Sequence, residues 1–131
     1  MSFPFNRYII SFRRSEKCYK RVYIMSDDII YVDSYDFDVR IEHGITAVLF
    51  FTEWCVQSRG IMPFLEEIAD DYYDYMRVLA LDIEQSPDIA AVFAIDVTPT
   101  VIIFKDGKMV ERITGANPPG AYTDIIDELI S

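Results

Sequence analysis

The stretch Ile45-Thr46-Ala47-Val48-Leu49-Phe50-Phe51-Thr52-Glu53-Trp54-Cys55-Val56-Gln57-Ser58-Arg59 holds an apolar run and, directly after it, a cysteine. Ile45 to Thr52 is almost continuously apolar, β-branched or aromatic. A strand buried on both faces, as in a parallel sheet, has that composition. Past Arg59 the pattern becomes helical, so Cys55 falls where a buried strand ends and a helix begins. A sulfur at that point faces the positive end of a helix and its unpaired amides. Both favour thiolate over thiol, which lowers the pKa. Arg59 is expected to add positive charge at the same helix end, and Ser58 can donate its hydroxyl to the thiolate. A buried cysteine with only a packing role would occupy the same place. The adjoining Trp54, the helix start and Arg59 favour a reactive thiol instead.

Outward from this stretch, short apolar runs alternate with amphipathic ones. Ile29 to Val32 reads as a strand. Asp33 or Ser34 caps a short helix to about Glu42, stopped by Gly44. Ile61, Phe64, Leu65, Ile68, Tyr72 and Tyr75 recur at three- and four-residue steps, which predicts a helix over about Ser58 to Tyr75. Arg77 to Ile83 is a strand, Ser86-Pro87 opens a short helix to about Phe93, and Thr100 to Phe104 is a strand. Asp106-Gly107 is a hairpin turn into Met109 to Ile113, and a last helix spans about Gly120 to Ile130. The order β-α-β-α-β-α-β-β-α combines crossover helices with a terminal hairpin. This predicts an α/β fold with a mixed central sheet flanked by helices.

The 131 residues suit one domain, and an apolar content of 51% supplies a core. No run reaches the length needed to span a bilayer, so no membrane partner is expected. A net charge of −10 repels phosphate backbones and argues against nucleic acid. The charge is uneven. Residues 1–25 carry Arg7, Arg13, Arg14, Lys17, Lys20 and Arg21 against Glu16 alone, whereas residues 26–131 carry 21 acidic and 6 basic groups. This switch divides the chain into a basic N-terminal extension, 1–25, and a body, 26–131. Three readings of the extension stand: a segment upstream of a start at Met25, a transit-peptide-like leader, or an accessory docked on the acidic body. The two cysteines, Cys18 and Cys55, suit a reducing compartment, and the expected location is cytoplasmic, or an organelle if residues 1–25 target it. The single histidine, His43, reads as structural. With no second histidine and no paired cysteines, no metal site is expected. Asp70, Asp71 and Asp74 lie on a helix and read as a solvated face.

A second feature is Thr98-Pro99-Thr100. A proline at the mouth of a buried strand is either an edge residue or a cis proline that leaves neighbouring backbone groups free to pair with a peptide. With it, residues 26–131 resemble a thioredoxin. The resemblance rests on several features in register: the opening Ser26-Asp27-Asp28-Ile29-Ile30; Glu53-Trp54-Cys55 followed by Ser58-Arg59; Pro63 and Glu66 to Tyr72; Val97 to Phe104 with Lys105-Asp106-Gly107; and Thr114-Gly115-Ala116-Asn117. It implies the thioredoxin fold and a nucleophilic Cys55. Trp54, Val56, Gln57 and Pro99 would border a peptide groove, Thr98 would offer backbone groups to an extended substrate, and Gly115 would allow it close approach.

The departures are specific. Ser58 stands where the family's resolving cysteine belongs, so a mixed disulfide on Cys55 must be released by another thiol, from substrate, glutathione or Cys18. Val56-Gln57 replaces the usual Gly-Pro pair. Leu49 occupies the place of the family's buried aspartate, and Ala80 that of the lysine near it. Two functions follow. The first is monothiol thiol–disulfide exchange, with no cofactor, on disulfide-containing or glutathionylated proteins, by an expected monomer. The second is a non-catalytic thioredoxin-fold module that binds peptides. Ser58 can also be an exchanged cysteine that traps mixed disulfides in an ordinary dithiol thioredoxin. A glutaredoxin is disfavoured, because the double glycine expected downstream is missing. Cys18, among Lys17, Lys20 and Arg21, either caps Cys55, pairs between chains or is incidental.

Overall fold

The computed structural model describes residues 29–131. The basic segment 1–25, its Cys18 and the opening Ser26-Asp27-Asp28 lie outside the described residues. The elements are β1 (Ile29–Val32), α1 (Phe37–Ile41), β2 (Ile45–Phe51), α2 (Val56–Asp71), β3 (Met76–Asp82), α3 (Pro87–Val92), β4 (Thr100–Lys105), β5 (Lys108–Thr114) and α4 (Pro119–Ile130). The strands form one sheet in the order β1-β3-β2-β4-β5. β3 pairs parallel with both β1 and β2, while β4 runs antiparallel to β2 and β5. This is the expected mixed sheet.

β2 lies in the middle, and its alternate side chains feed two separate cores. Ala47 and Leu49 face Ile61, Leu65 and Ile68 of α2 and Tyr122 and Ile126 of α4. Val48 and Phe50 face Phe37 and Ile41 of α1 and Phe93 after α3. Phe37, Phe50, Phe93 and Phe104 form an aromatic cluster on that side, with ring centroids 5.4–6.5 Å apart. Val48 and Phe50 are fully buried, as the continuous apolar run requires.

Several boundaries differ from the expectation. α2 begins at Val56 and ends at Asp71, with no helix through Tyr75. Tyr72 caps it, and the amides of Tyr75 and Met76 both donate to the Tyr72 carbonyl, in a turn that delivers Met76 into β3. Tyr75 points largely to solvent and is not part of the apolar face. Pro63 lies inside α2 without ending it. α1 starts later than the capping residues suggested, because Asp33 closes a turn first: its Oδ1 accepts the Tyr35 amide, and its own amide donates to Asp36 Oδ1. The hairpin at Asp106-Gly107 is present, with φ of +52° and +87°. Positive φ at both central residues matches the twist of the strands it joins. Gly44 and Asp106 tie the two loops at that end of the sheet: the Gly44 amide donates to Asp106 Oδ1 at 2.8 Å and its carbonyl accepts the Asp106 amide at 2.9 Å.

Candidate active site

Cys55 is the N-cap residue of α2, at φ −88° and ψ 113°. The first helical residues, Val56, Gln57 and Ser58, therefore follow the sulfur directly, and the amides of Gln57 and Ser58 are among those that a helix leaves unpaired. The thiol donates to the Thr98 carbonyl at 3.3 Å across 43 residues of sequence, which locks the strand-to-helix turn against the loop before β4. The Cys55 pKa falls from the usual 9.0 to about 7. The Ser58 hydroxyl contributes most and Thr98 next. Desolvation opposes them, and the backbone amides of Ser58 and Gln57 add to the lowering. Donors that face the sulfur stabilise the thiolate more than the thiol.

Ser58 is 1% exposed, and its Oγ has no hydrogen-bond partner among the described residues. In the thiol form the S–H hydrogen is engaged by Thr98, which leaves the hydroxyl unmatched. Once the proton leaves, the sulfur becomes the acceptor that this buried hydroxyl lacks. Arg59 behaves differently from the expectation. Its guanidinium donates to the Glu53 carbonyl at 2.6 Å, and the main causes of the low Cys55 pKa are the Ser58 and Thr98 side chains and the backbone amides of Ser58 and Gln57, without Arg59. It braces the turn before Cys55.

The surroundings of Cys55 are apolar and open. Trp54 is 77% exposed, Val56 70% and Val97 43%. Gln57 is exposed as well, while Pro99 is buried and forms the floor, not the rim. The Thr98–Pro99 peptide bond is cis. The Pro99 carbonyl accepts the Gly115 amide at 2.7 Å, and Thr100 Oγ1 donates to the Val97 carbonyl at 2.6 Å. The Thr98 amide has no partner among the described residues, which leaves it available to an extended peptide. Gly115 has φ +79°, and a side chain at that position would meet nothing within 4 Å, so the space beside it is open to solvent. Sequence reasoning missed two supports. Asn117 Nδ2 donates to the carbonyls of Thr114 and Gly115, which holds the Gly115 turn. Arg112 donates to the carbonyls of Phe93 and Ala94, which holds the turn leading to Val97. Neither has a sequence signal, since each acts on backbone oxygens brought near only by the sheet.

Leu49 and Ala80 are directly paired in register across β2 and β3, and each is 1% exposed. An aspartate or a lysine alone at either place would be an uncompensated buried charge, so an apolar residue at one demands an apolar residue at the other. His43 is exposed, 3.9 Å from Glu42, at the end of the sheet opposite Cys55. Among the described residues, no group of histidine, cysteine or carboxylate side chains is placed to hold a metal ion. No helix there is long and apolar enough to cross a membrane.

The Thioredoxin family model matches residues 28–128, which includes all five strands, α1 to α3, most of α4 and the whole of this site. The chain belongs to the thioredoxin family. A thioredoxin of Staphylococcus epidermidis is 37% identical over 100 residues, covering 76% of this chain and 96% of the relative. A Staphylococcus aureus thioredoxin is 36% identical over the same length. A solved structure from work on the thiol resolving mechanism of a yeast mitochondrial 1-Cys peroxiredoxin via glutathione/thioredoxin systems superposes with a TM-score of 0.70. It is 29% identical and covers 76% of this chain and 94% of that one. Membership in the thioredoxin family carries thiol–disulfide redox chemistry as the general function, with disulfide-containing proteins as its substrates.

Proposed function

We propose that this thioredoxin-family protein performs thiol–disulfide exchange through Cys55 alone. The Cys55 thiolate attacks one sulfur of a substrate disulfide. A Cys55–substrate disulfide forms as the substrate S–S bond breaks, and the second substrate sulfur leaves as thiolate. A thiol from outside the motif, the substrate's own or that of glutathione, then attacks the mixed disulfide and regenerates the Cys55 thiolate. The cycle moves disulfide bonds between partners without net oxidation of the protein, which suits isomerisation and removal of glutathione from proteins. The observation that carries this reading is the pairing of a Cys55 thiol lowered to about 7 with a buried hydroxyl, and no sulfur, at Ser58. The exposed Trp54, Val56 and Val97, and a Thr98 amide with no partner among the described residues, support an extended, partly apolar substrate.

The test uses Cys18→Ser, in which Cys55 is the only thiol. Reduced protein is mixed at neutral pH with excess disulfide-bonded peptide, and its intact mass is followed. A single persistent adduct on Cys55, released by added glutathione, is the expected result. Unmodified protein would sink the proposal and leave a peptide-binding scaffold.

A further inference from the structure

The loop that brings Thr98 to Cys55 is held from β5, an edge strand. The register sets Arg112 of β5 opposite Ile102 of β4. Directly opposed residues of an antiparallel pair share a face of the sheet. Ile102 belongs to the core against which Phe93 packs, so Arg112 lies on the α3 side, over the end of that helix. There its Nη1 donates to the Phe93 carbonyl and its Nη2 to the Ala94 carbonyl at 2.9 Å. No backbone amide among the described residues donates to either carbonyl. Both are acceptors of the kind that a helix end leaves unpaired, and one planar fork answers the two together.

The clamped turn is conformationally costly. Ala94 has φ +52°, in the left-handed region that a Cβ disfavours. Around it the Ala94 amide donates to the Ala91 carbonyl at 3.1 Å and the Ile95 amide to the Ala90 carbonyl at 2.9 Å. Phe93 and Ile95 are partly buried against the core. Asp96 and Val97 are exposed, and the chain returns at Thr98, whose carbonyl accepts the Cys55 thiol at 3.3 Å. The far end of the loop is tied by Thr100 Oγ1 to the Val97 carbonyl and by the Gly115 amide to the Pro99 carbonyl. At the near end, Phe93 to Asp96, Arg112 is the only hydrogen-bonding side chain among the described residues. Thr98 is second only to Ser58 among the groups that lower the Cys55 pKa, so a displacement of this short segment is felt at the sulfur.

We infer that Arg112 is a positioning residue for Cys55: its fork on the Phe93 and Ala94 carbonyls fixes where residues 95–98 set Thr98 against the sulfur. The inference rests on the proposed attack by the Cys55 thiolate and adds a residue, outside the site, on which that attack depends. Arg112 makes its hydrogen bonds to the loop and not to the sulfur, so it acts only through Thr98. Without the fork, Ala94 is free to leave the left-handed region. Thr98 then withdraws, and Cys55 becomes a weaker acid. The Thr98 amide offered to an extended substrate moves with it, so peptide binding weakens as well.

The test places Arg112→Gln and Arg112→Lys in the full chain carrying Cys18→Ser, so that Cys55 is the only thiol. Arg77→Gln is the matched control, because Arg77 also donates to two backbone carbonyls, those of Tyr73 and Met76, at the opposite end of the sheet. Thiolate absorbance in the ultraviolet gives the Cys55 midpoint, and the KM for a disulfide-bonded peptide reports the groove. From about 7 in the parent, the midpoint should rise by about half a pH unit or more in Arg112→Gln, with KM up about three- to tenfold. Arg112→Lys, whose ammonium meets one carbonyl but not both, should fall between the two in each readout. Arg77→Gln should keep the parent midpoint and KM even where it loses as much stability to urea. Unshifted midpoints in both Arg112 variants would overturn the inference. So would an equal shift in Arg77→Gln, since that pattern belongs to general loosening of the fold. If Arg112→Gln does not fold, Arg112→Lys decides by the same comparison. A parent protein that forms no peptide adduct on Cys55 would instead refute the exchange reading, while the absorbance midpoints still test the clamp.

Discussion

Replacing Ser58 by alanine isolates the group that most lowers the Cys55 pKa. The fall from 9.0 to about 7 is divided among the Ser58 hydroxyl, Thr98 and two backbone amides, with desolvation opposing, and the hydroxyl has the largest part. Its loss raises the thiol, by about one pH unit where the hydroxyl supplies half of the fall. At pH 7 the thiolate fraction then drops from about half to roughly a tenth. A more basic thiolate is also a better nucleophile, by about 2.5–3-fold for that change at a Brønsted coefficient of 0.4–0.5. The two effects oppose each other, and their balance depends on pH. With a small chromogenic disulfide, Ser58→Ala should react about threefold more slowly than native protein at pH 6 and about twofold more slowly at pH 7. The curves should cross near pH 7.6, and the variant should be about 2.5-fold faster at pH 9. Thiolate absorbance in the ultraviolet gives the midpoint independently. In the thiol form Ser58 Oγ is buried without a partner, so below about pH 7 the methyl group orphans nothing and stability should be unchanged or slightly higher, whereas at higher pH the part of the thiolate stabilisation that the hydroxyl supplies is lost. Identical pH profiles for native protein and Ser58→Ala would refute the assignment. A uniform loss of rate at every pH would too, since that pattern belongs to displaced structure and not to an altered acid.

Trp54→Ala should raise the KM for a disulfide peptide about 5–30-fold while leaving alkylation of Cys55 by a small reagent within twofold, as expected if the indole, exposed beside Cys55, meets substrate as proposed; parallel loss in both assays would assign Trp54 a structural role. The depressed Cys55 pKa also makes folding pH-dependent. The unfolded thiol titrates near 9 and the folded one near 7, so the thiolate stabilises the fold fully above pH 9, and that contribution fades as pH falls through 7. Urea midpoints of native protein minus those of Cys55→Ser should therefore climb between pH 7 and 9, and a flat difference would contradict the lowered pKa.

The strand Ile45–Phe51 and its burial were legible because a long apolar run has few ways to avoid water, and the position of Cys55 followed from the change of period after it. The start of α2 was not. Val56 is β-branched, and cysteine is not a usual cap, so the sequence pattern points to a start at Ser58, two residues after the helix begins, and only the structure identifies the unpaired amides at the sulfur as those of Gln57 and Ser58. The error at the other end has a similar origin. Tyr72 and Tyr75 keep the helical spacing, yet the chain turns at Tyr72, because Met76 must enter the sheet in register with Ile45.

By itself the sequence determined the local chemistry of this protein: a cysteine at a strand-to-helix junction, a serine where the family has a second cysteine, and apolar residues at positions 49 and 80. These are matters of composition and short spacing, where neighbours in the chain are neighbours in space. Only the tertiary structure decided which groups surround the sulfur. It placed Thr98 against Cys55 across 43 residues, set Leu49 beside Ala80, turned the Arg59 guanidinium to the Glu53 carbonyl, and left the Ser58 hydroxyl buried without a partner. The physical reason is that sheet order and helix docking bring distant backbone oxygens and hydroxyls together, and a run of residues carries no mark of which remote carbonyl it will meet.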